Sequence, residues 1–138
     1  MGSLRKTVLV AITDPDNRQA LQFLEESYTL YYASNMGEAK ACLKGPIDLV
    51  ICGLTFNDSR MFELLGLIKA LPFGQIPPAI CIRMKPGRLE QNYTLLIEQA
   101  IELNGVGEFV NFSSWVHEKG RETAQARLLS KVRGYLDR

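Results

Sequence analysis

Short, unbroken apolar runs alternate along the chain with longer segments whose apolar residues return every three or four positions. That alternation predicts repeated strand–helix units around a parallel sheet covered on both faces. The first run, Thr7 to Ile12, suits a central strand. Asp14-Pro15-Asp16-Asn17 then offers a cap and a turn, and Ala20, Leu21, Leu24 and Tyr28 recur at helical spacing, which predicts a helix ending near Ser27. Thr29 to Ala33 has the β-branched and aromatic content of a second strand. Asn35 followed by Glu38 resembles a capping box and opens a short helix over Met36 to Lys44, stopped by Gly45-Pro46. Ile47 to Cys52 is the third strand; Asn57 or Asp58 caps a helix that buries Met61, Leu64, Leu65, Ile68 and Leu71 and closes at Pro72. Pro77-Pro78 leads into a fourth strand, Ala79 to Ile82, and a helix follows from about Leu89 to Leu103. Val106 to Phe112 is the last strand, and Ser113 or Ser114 caps one final helix with the stripe Leu128, Leu129, Val132 and Leu136. No repeat, low-complexity tract or linker interrupts this order. The expected architecture is one α/β domain over residues 1–138, with residues 1–5 untethered.

Composition narrows what such a domain does. Its 138 residues, 46% apolar and 22% charged, suffice for a core that needs no disulfide or metal staple. Sixteen Lys and Arg against fifteen Asp and Glu leave a charge of +1, so no global field draws the molecule to nucleic acid or an anionic membrane. The imbalance is local: from His117 onward stand Lys119, Arg121, Arg127, Lys131, Arg133 and Arg138 against Glu118, Glu122 and Asp137. Such a segment is either the wet face of a helix or a surface for phosphate or a partner. Three cysteines cannot all pair, and Cys52 and Cys81 lie inside apolar runs, which favours a reducing, cytoplasmic setting. No apolar stretch reaches the roughly 20 residues that span a bilayer.

In an open parallel sheet the ligand site lies beyond the carboxyl ends of the strands, so function rests on Ile12-Thr13-Asp14, Ala33-Ser34-Asn35, Gly53-Leu54-Thr55, Arg83-Met84-Lys85 and Phe112-Ser113. At these points the chain resembles the receiver domain of two-component response regulators over nearly its whole length. VLVAITDPDNRQAL resembles the family's opening strand, acidic cluster, Pro and Arg; IDLVICGLTFNDSRMFELLGLIKAL is similar to its third strand, acceptor turn and third helix, with Glu63-Leu64 matching a Glu-Leu pair. IPPAICI is like the fourth strand, and Asn104-Gly105-Val106 resembles the Gly-Ala step before the fifth. The resemblance implies a CheY-like, doubly wound five-stranded sheet in the order 2-1-3-4-5.

It also implies chemistry, which this chain departs from at five positions. A receiver holds Mg²⁺ with two acidic residues after strand one and an acceptor Asp after strand three. Alignment on Pro15 puts Ile12 and Thr13 at the acidic pair, with Asp14 one place late, and alignment through Asp48-Leu49-Val50 puts Gly53 at the acceptor. The phosphate-reading hydroxyl falls on Arg83 and the fifth-strand Lys on Phe112, with Ser113 in place of the following Pro. The resemblance is therefore to a degenerate receiver, with no cofactor expected. Its implied partner is an output domain, another protein or a second copy, met through the face of the receiver's fourth helix, fifth strand and fifth helix.

Asp14, Asn57, Arg83, Lys85 and Trp115 are candidates for anion or partner contacts. Each has a plainer reading. Arg83 either offers a fixed cation, pairing with Asp14 or Asp58 or gripping an anion, or reaches into solvent. Asp14, Asp16 and Asp48 either form a carboxylate metal site, or Asp14 and Asp16 cap the first helix and Asp48 opens a strand away from the carboxyl edge; Trp115 either anchors an interface or packs against the last helix. Tyr31 and Tyr32 either form an aromatic patch or split between surface and core. An anion or nucleotide sensor using Arg83, Lys85, Arg88 and the Gly53 and Leu54 amides is the alternative function, although Thr13-Asp14-Pro15-Asp16 lacks a phosphate loop's glycines. Enzyme activity is not expected, because no base, nucleophile and orienting group converge.

Overall fold

The computed structural model describes residues 5–54, 56, 61–72, 74, 76–84, 99 and 107–137. Among the described residues five segments form strands: β1 (Thr7–Ala11), β2 (Thr29–Ala33), β3 (Leu49–Gly53), β4 (Ala79–Arg83) and β5 (Gly107–Asn111). They pair in parallel in the order β2-β1-β3-β4-β5, the doubly wound order expected. Successive side chains of a strand point to opposite faces, so each run feeds two cores. Val8, Val10, Leu49, Ile51, Ile80 and Ile82 face one side, where they meet Leu21, Leu24, Leu128 and Val132. Leu9, Ala11, Val50, Cys52, Ala79 and Cys81 face the other, against Met36, Ala39, Leu64, Leu65 and Ile68. β3, central in the sheet, is buried at every position, which is why it reads as an unbroken apolar run.

Among the described residues five helices cover these faces: α1 (Pro15–Gln19), α2 (Met36–Cys42), α3 (Met61–Lys69), α4 (Phe112–Lys119) and α5 (Arg121–Leu136). Asp14 caps α1 by accepting from the Asp16 amide at 2.8 Å, and Asn35 caps α2 by accepting from the Glu38 amide at 2.9 Å. Asp48 lies at the amino edge of the sheet, where its carboxylate accepts from the Thr7 amide at 2.8 Å.

Several expectations are corrected. The helix predicted to end near Ser27 is instead α1 followed by a 3₁₀ segment, Gln22–Glu26, in which the Leu24 amide bonds the Leu21 carbonyl at 3.1 Å. Three-residue spacing turns both Leu21 and Leu24 into the core, which a 3₁₀ turn satisfies over so short a span. The single final helix is two helices. Asn111, rather than Ser113 or Ser114, caps α4 by accepting from the Ser114 amide at 3.0 Å, and Gly120, at φ +89°, ends α4 and starts α5. Only glycine takes that left-handed backbone without strain, so the chain turns there and lays α5 along the sheet. β5 likewise begins at Gly107 and ends at Asn111, inside the predicted Val106 to Phe112. The Asn57 or Asp58 cap and the helix expected from Leu89 to Leu103 lie outside the described residues, Gln99 excepted.

α5 is a wall of the core, burying Ala124, Leu128, Val132 and Leu136. Polar ties fix it: Lys131 pairs with Glu108 at 2.8 Å, the Tyr135 hydroxyl donates to Glu108 at 2.9 Å, and the Tyr28 hydroxyl donates to Asp137 at 3.2 Å.

β5 reaches β4 through Gly107, at φ +154°, where an added Cβ would collide with the Ala79 carbonyl oxygen and lie 2.7 Å from its carbon. Backbone cannot yield as a flexible side chain can. Gly107→Ala is therefore expected to lower the unfolding free energy by about 3 kcal/mol or more. Urea denaturation monitored by circular dichroism measures this, and an unchanged midpoint would refute the close β4–β5 approach.

Candidate functional site

The carboxyl ends of β1, β3 and β4 meet at the centre of the sheet. Ala11 pairs with Cys52 and Gly53 with Ile82; beyond the strands the Ile12 amide bonds Ala33 O and the Leu54 amide bonds Ile82 O, each at 3.1 Å. Ile12 is 3% exposed and continues the inward face of Val8 and Val10. A Cβ built on Gly53, also buried, would stand 3.3 Å from Ile12 Cγ1. So Ile12 and Gly53, expected at two functional positions, are neighbours, and an aliphatic side chain lies where Gly53 has none.

Thr13 turns elsewhere. Its hydroxyl donates to the Ser34 carbonyl at 2.8 Å, across the β1–β2 pair. Ser34 is held in turn by Arg18, whose guanidinium reaches its hydroxyl at 2.7 Å, and by Glu38, whose carboxylate accepts from its amide at 2.6 Å. This polar cluster joins α1 to α2 and ties Thr13 to the β2 side.

On the other side of β3, Phe112 is 3% exposed and packs into the core with Ile82 and Val110. Arg83 pairs in register with Asn111 and is half-buried. It lines a cleft of about 620 Å³ whose other walls are Asn17 and Ala20 of the first helical segment, Ser113, Ser114, Val116 and His117 of α4, and Arg121 of α5. Trp115 lies under the Arg127 guanidinium, 4.2 Å from ring centroid to carbon, so it packs against the last helix. Tyr31 is 50% exposed while Tyr32 packs toward the core and donates to Glu25 at 2.7 Å, the split that a strand imposes on neighbours. Asn57 and Lys85 lie outside the described residues. The cleft itself was missed from sequence because the helix break at Gly120, which brings Arg121 beside His117, was missed.

Among the described residues, the groups at Ile12, Thr13 and Gly53 do not form a donor set for Mg²⁺. That ion requires oxygen ligands in near-octahedral array, usually with one or two carboxylates. Ile12 offers hydrocarbon, Gly53 offers no side chain, and the Thr13 hydroxyl is spent on Ser34. Among the described residues no three His, Cys, Asp or Glu side chains gather as ligands. The thiols offer no substitute nucleophile: burial holds Cys52 well above the ordinary thiol value and pushes Cys81 up to about 12, so both stay protonated at neutral pH.

No protein-family model matches the chain. The signal receiver domain of an HD-domain-containing protein from Pseudomonas fluorescens Pf-5 superposes on it with a TM-score of 0.71 at 21% identity, over 97% of this chain and 96% of that one. The chain has the response-regulator receiver fold. A response regulator from Hahella chejuensis shares that receiver fold at TM-score 0.70 and 15% identity, over 95% of each chain. Another, from Thermotoga maritima, does so at 0.65 and 18%, covering 98% of this chain and all of that one. By sequence, the chain is 32% identical over 78 residues to an uncharacterized 14.6 kDa protein in the sodA1 3' region of Leptolyngbya boryana. That match spans 54% of this receiver-fold chain and 60% of the relative. No described helix is long and apolar enough to cross a membrane.

Restoring the acceptor alone should not restore the site. Gly53→Asp would press a carboxylate against Ile12, and burial of an unpaired charge there should lower stability by about 2 kcal/mol or more. Urea denaturation with and without Mg²⁺ tests this. The expected result is a loss that Mg²⁺ does not reverse; a Mg²⁺-dependent gain would mean that carboxylates do converge there.

Proposed function

We propose that this chain is a receiver-like module of a two-component or phosphorelay-type system that neither takes up nor holds a phosphoryl group and acts by contact with another protein. One observation carries the reading: Ile12 packs beside Gly53, so among the described residues these two positions supply neither a metal ligand nor an acceptor oxygen at the centre of the strand tips. Phosphoryl transfer to a carboxylate needs that oxygen in line with the leaving group and a cation to neutralise the transferred charge. With both functions missing at the position the receiver resemblance assigns, the fold keeps its surfaces and lacks a covalent switch. The module is non-catalytic in this reading.

The contact surface favoured is the edge formed by β5 and α5. Strand β5 is one of the two outer strands of the sheet, and the Glu108, Lys131 and Tyr135 cluster ties α5 to it. A partner protein, an output domain or a second copy would meet a rigid face there. Removing the chain beyond Gly120 is a poor probe of that face, because it strips Leu128 and Val132 from the core. Reducing cytoplasm suits the buried free thiols of Cys52 and Cys81.

Incubation with acetyl phosphate and Mg²⁺ beside a receiver that carries the acidic pair and acceptor, followed by intact mass spectrometry, tests the reading. The expected result is a phosphoryl adduct on the control and none on this chain. A stable adduct, for instance on Asp14, would overturn it.

A further inference from the structure

Helices α2 and α3 cover the same face of the sheet, and the flanks they turn toward each other do not close. Met36 and Ala39 of α2 share one core with Leu64, Leu65 and Ile68 of α3, whereas Leu43, just past α2, and Leu67 and Leu71 stay half-buried. These three leucines and Pro72 line a hollow of about 330 Å³. Leu43, Lys44 and Leu71 also line a second hollow, of about 430 Å³, which runs on to Ile47, Asp48 and Gly74 at the amino edge of the sheet. The shared walls make the two hollows one groove.

Charge stands on one bank of that groove. Lys40 and Lys44 both line the first hollow, one turn apart, because helical bonding continues past Cys42: the Leu43 amide bonds Ala39 O at 3.0 Å and the Lys44 amide bonds Ala41 O at 3.3 Å. Residues four apart on such a turn are neighbours. Both lysines are exposed, and neither has a carboxylate partner among the described residues. The acids close to them in sequence are engaged elsewhere, Glu38 with the Ser34 amide and Asp48 with the Thr7 amide. An apolar floor beside a lysine bank favours apolar side chains flanked by carboxylates. A groove between two helices is filled by a third, whose anchors recur every three or four residues along one line. We infer that the α2–α3 groove docks an acidic amphipathic helix of a partner protein, its apolar stripe on Leu43, Leu67 and Leu71 and its carboxylates beside Lys40 and Lys44. The groove lies on the face of the sheet opposite α5, so it is a site separate from the β5–α5 edge. The inference rests on the reading of the chain as a protein-contact module, but a phosphoryl adduct at the strand tips or an inert β5–α5 edge would leave binding at this groove to its own test.

The test is selection of a displayed library of random peptides, each long enough for about four helical turns, on the whole chain, followed by fluorescence anisotropy of the enriched peptides. Enrichment of apolar residues at helical spacing, flanked by Asp or Glu, is expected. Lys40→Glu combined with Lys44→Glu should weaken binding of those peptides about tenfold or more with circular dichroism unchanged, while Lys119→Glu, exposed on α4, should not. A peptide with Lys in place of its acidic residues should in turn bind the doubly substituted chain more tightly than the original one. Failure to enrich any peptide would overturn the inference, as would enriched peptides indifferent to the double substitution. An equal loss with Lys119→Glu would also overturn it, because it would mean diffuse attraction. Sedimentation velocity and cosedimentation with phosphatidylglycerol vesicles test the other occupants. A dimer abolished by the double substitution would assign the groove to a second copy, and vesicle binding abolished by it would assign the groove to a membrane; either result would overturn the partner helix.

Discussion

The Ile12 side chain, within 3.3 Å of where a Cβ on Gly53 would stand, is the constraint around which the site is arranged. Ile12 follows the end of β1 on the same face as Val8 and Val10, and the sheet order puts β1 beside β3, so its side chain lies next to Gly53. An aliphatic group at that point extends the core to the rim of the sheet and stabilises the domain by the burial of apolar surface. The same group removes the low-cost place for charge that phosphotransfer chemistry would require. Core and site compete for one position, and here the core holds it.

The neighbouring residues accommodate that outcome. Thr13 bonds sideways to Ser34, which Arg18 and Glu38 hold from α1 and α2, so the polar groups nearest the β1 tip serve to join two helices. Phe112 fills the far side with an aromatic ring packed against Ile82 and Val110. Arg83, His117 and Arg121 line a separate cleft toward the β4–β5 edge. The strand-tip region thus divides into an apolar centre and a cationic margin.

Much of this was legible in the sequence, and for identifiable reasons. The strands were readable because a parallel sheet covered on both faces needs unbroken apolar runs, and Leu49–Gly53 is buried at every position. Asp14 and Asn35 announced their caps because short polar side chains before a helix have few other roles. The two-helix ending was not legible, since it depends on Gly120 adopting a left-handed backbone, and a glycine inside a helical period does not say whether it bends the chain. The 3₁₀ segment after α1 was hidden for a related reason: spacing of three between Leu21 and Leu24 fits either helix type. The cleft followed from those two breaks, so its cations could be named one by one but not brought together.

The central claim is that the centre of the strand tips cannot gather ligands for a divalent cation. Titration of isotope-labelled protein with Mn²⁺, a paramagnetic stand-in for Mg²⁺, reads this directly through the amide resonances of Ile12, Thr13 and Gly53. The account predicts no selective, saturable broadening of those resonances. Broadening centred on Gly53 and reversed by Mg²⁺ would contradict it.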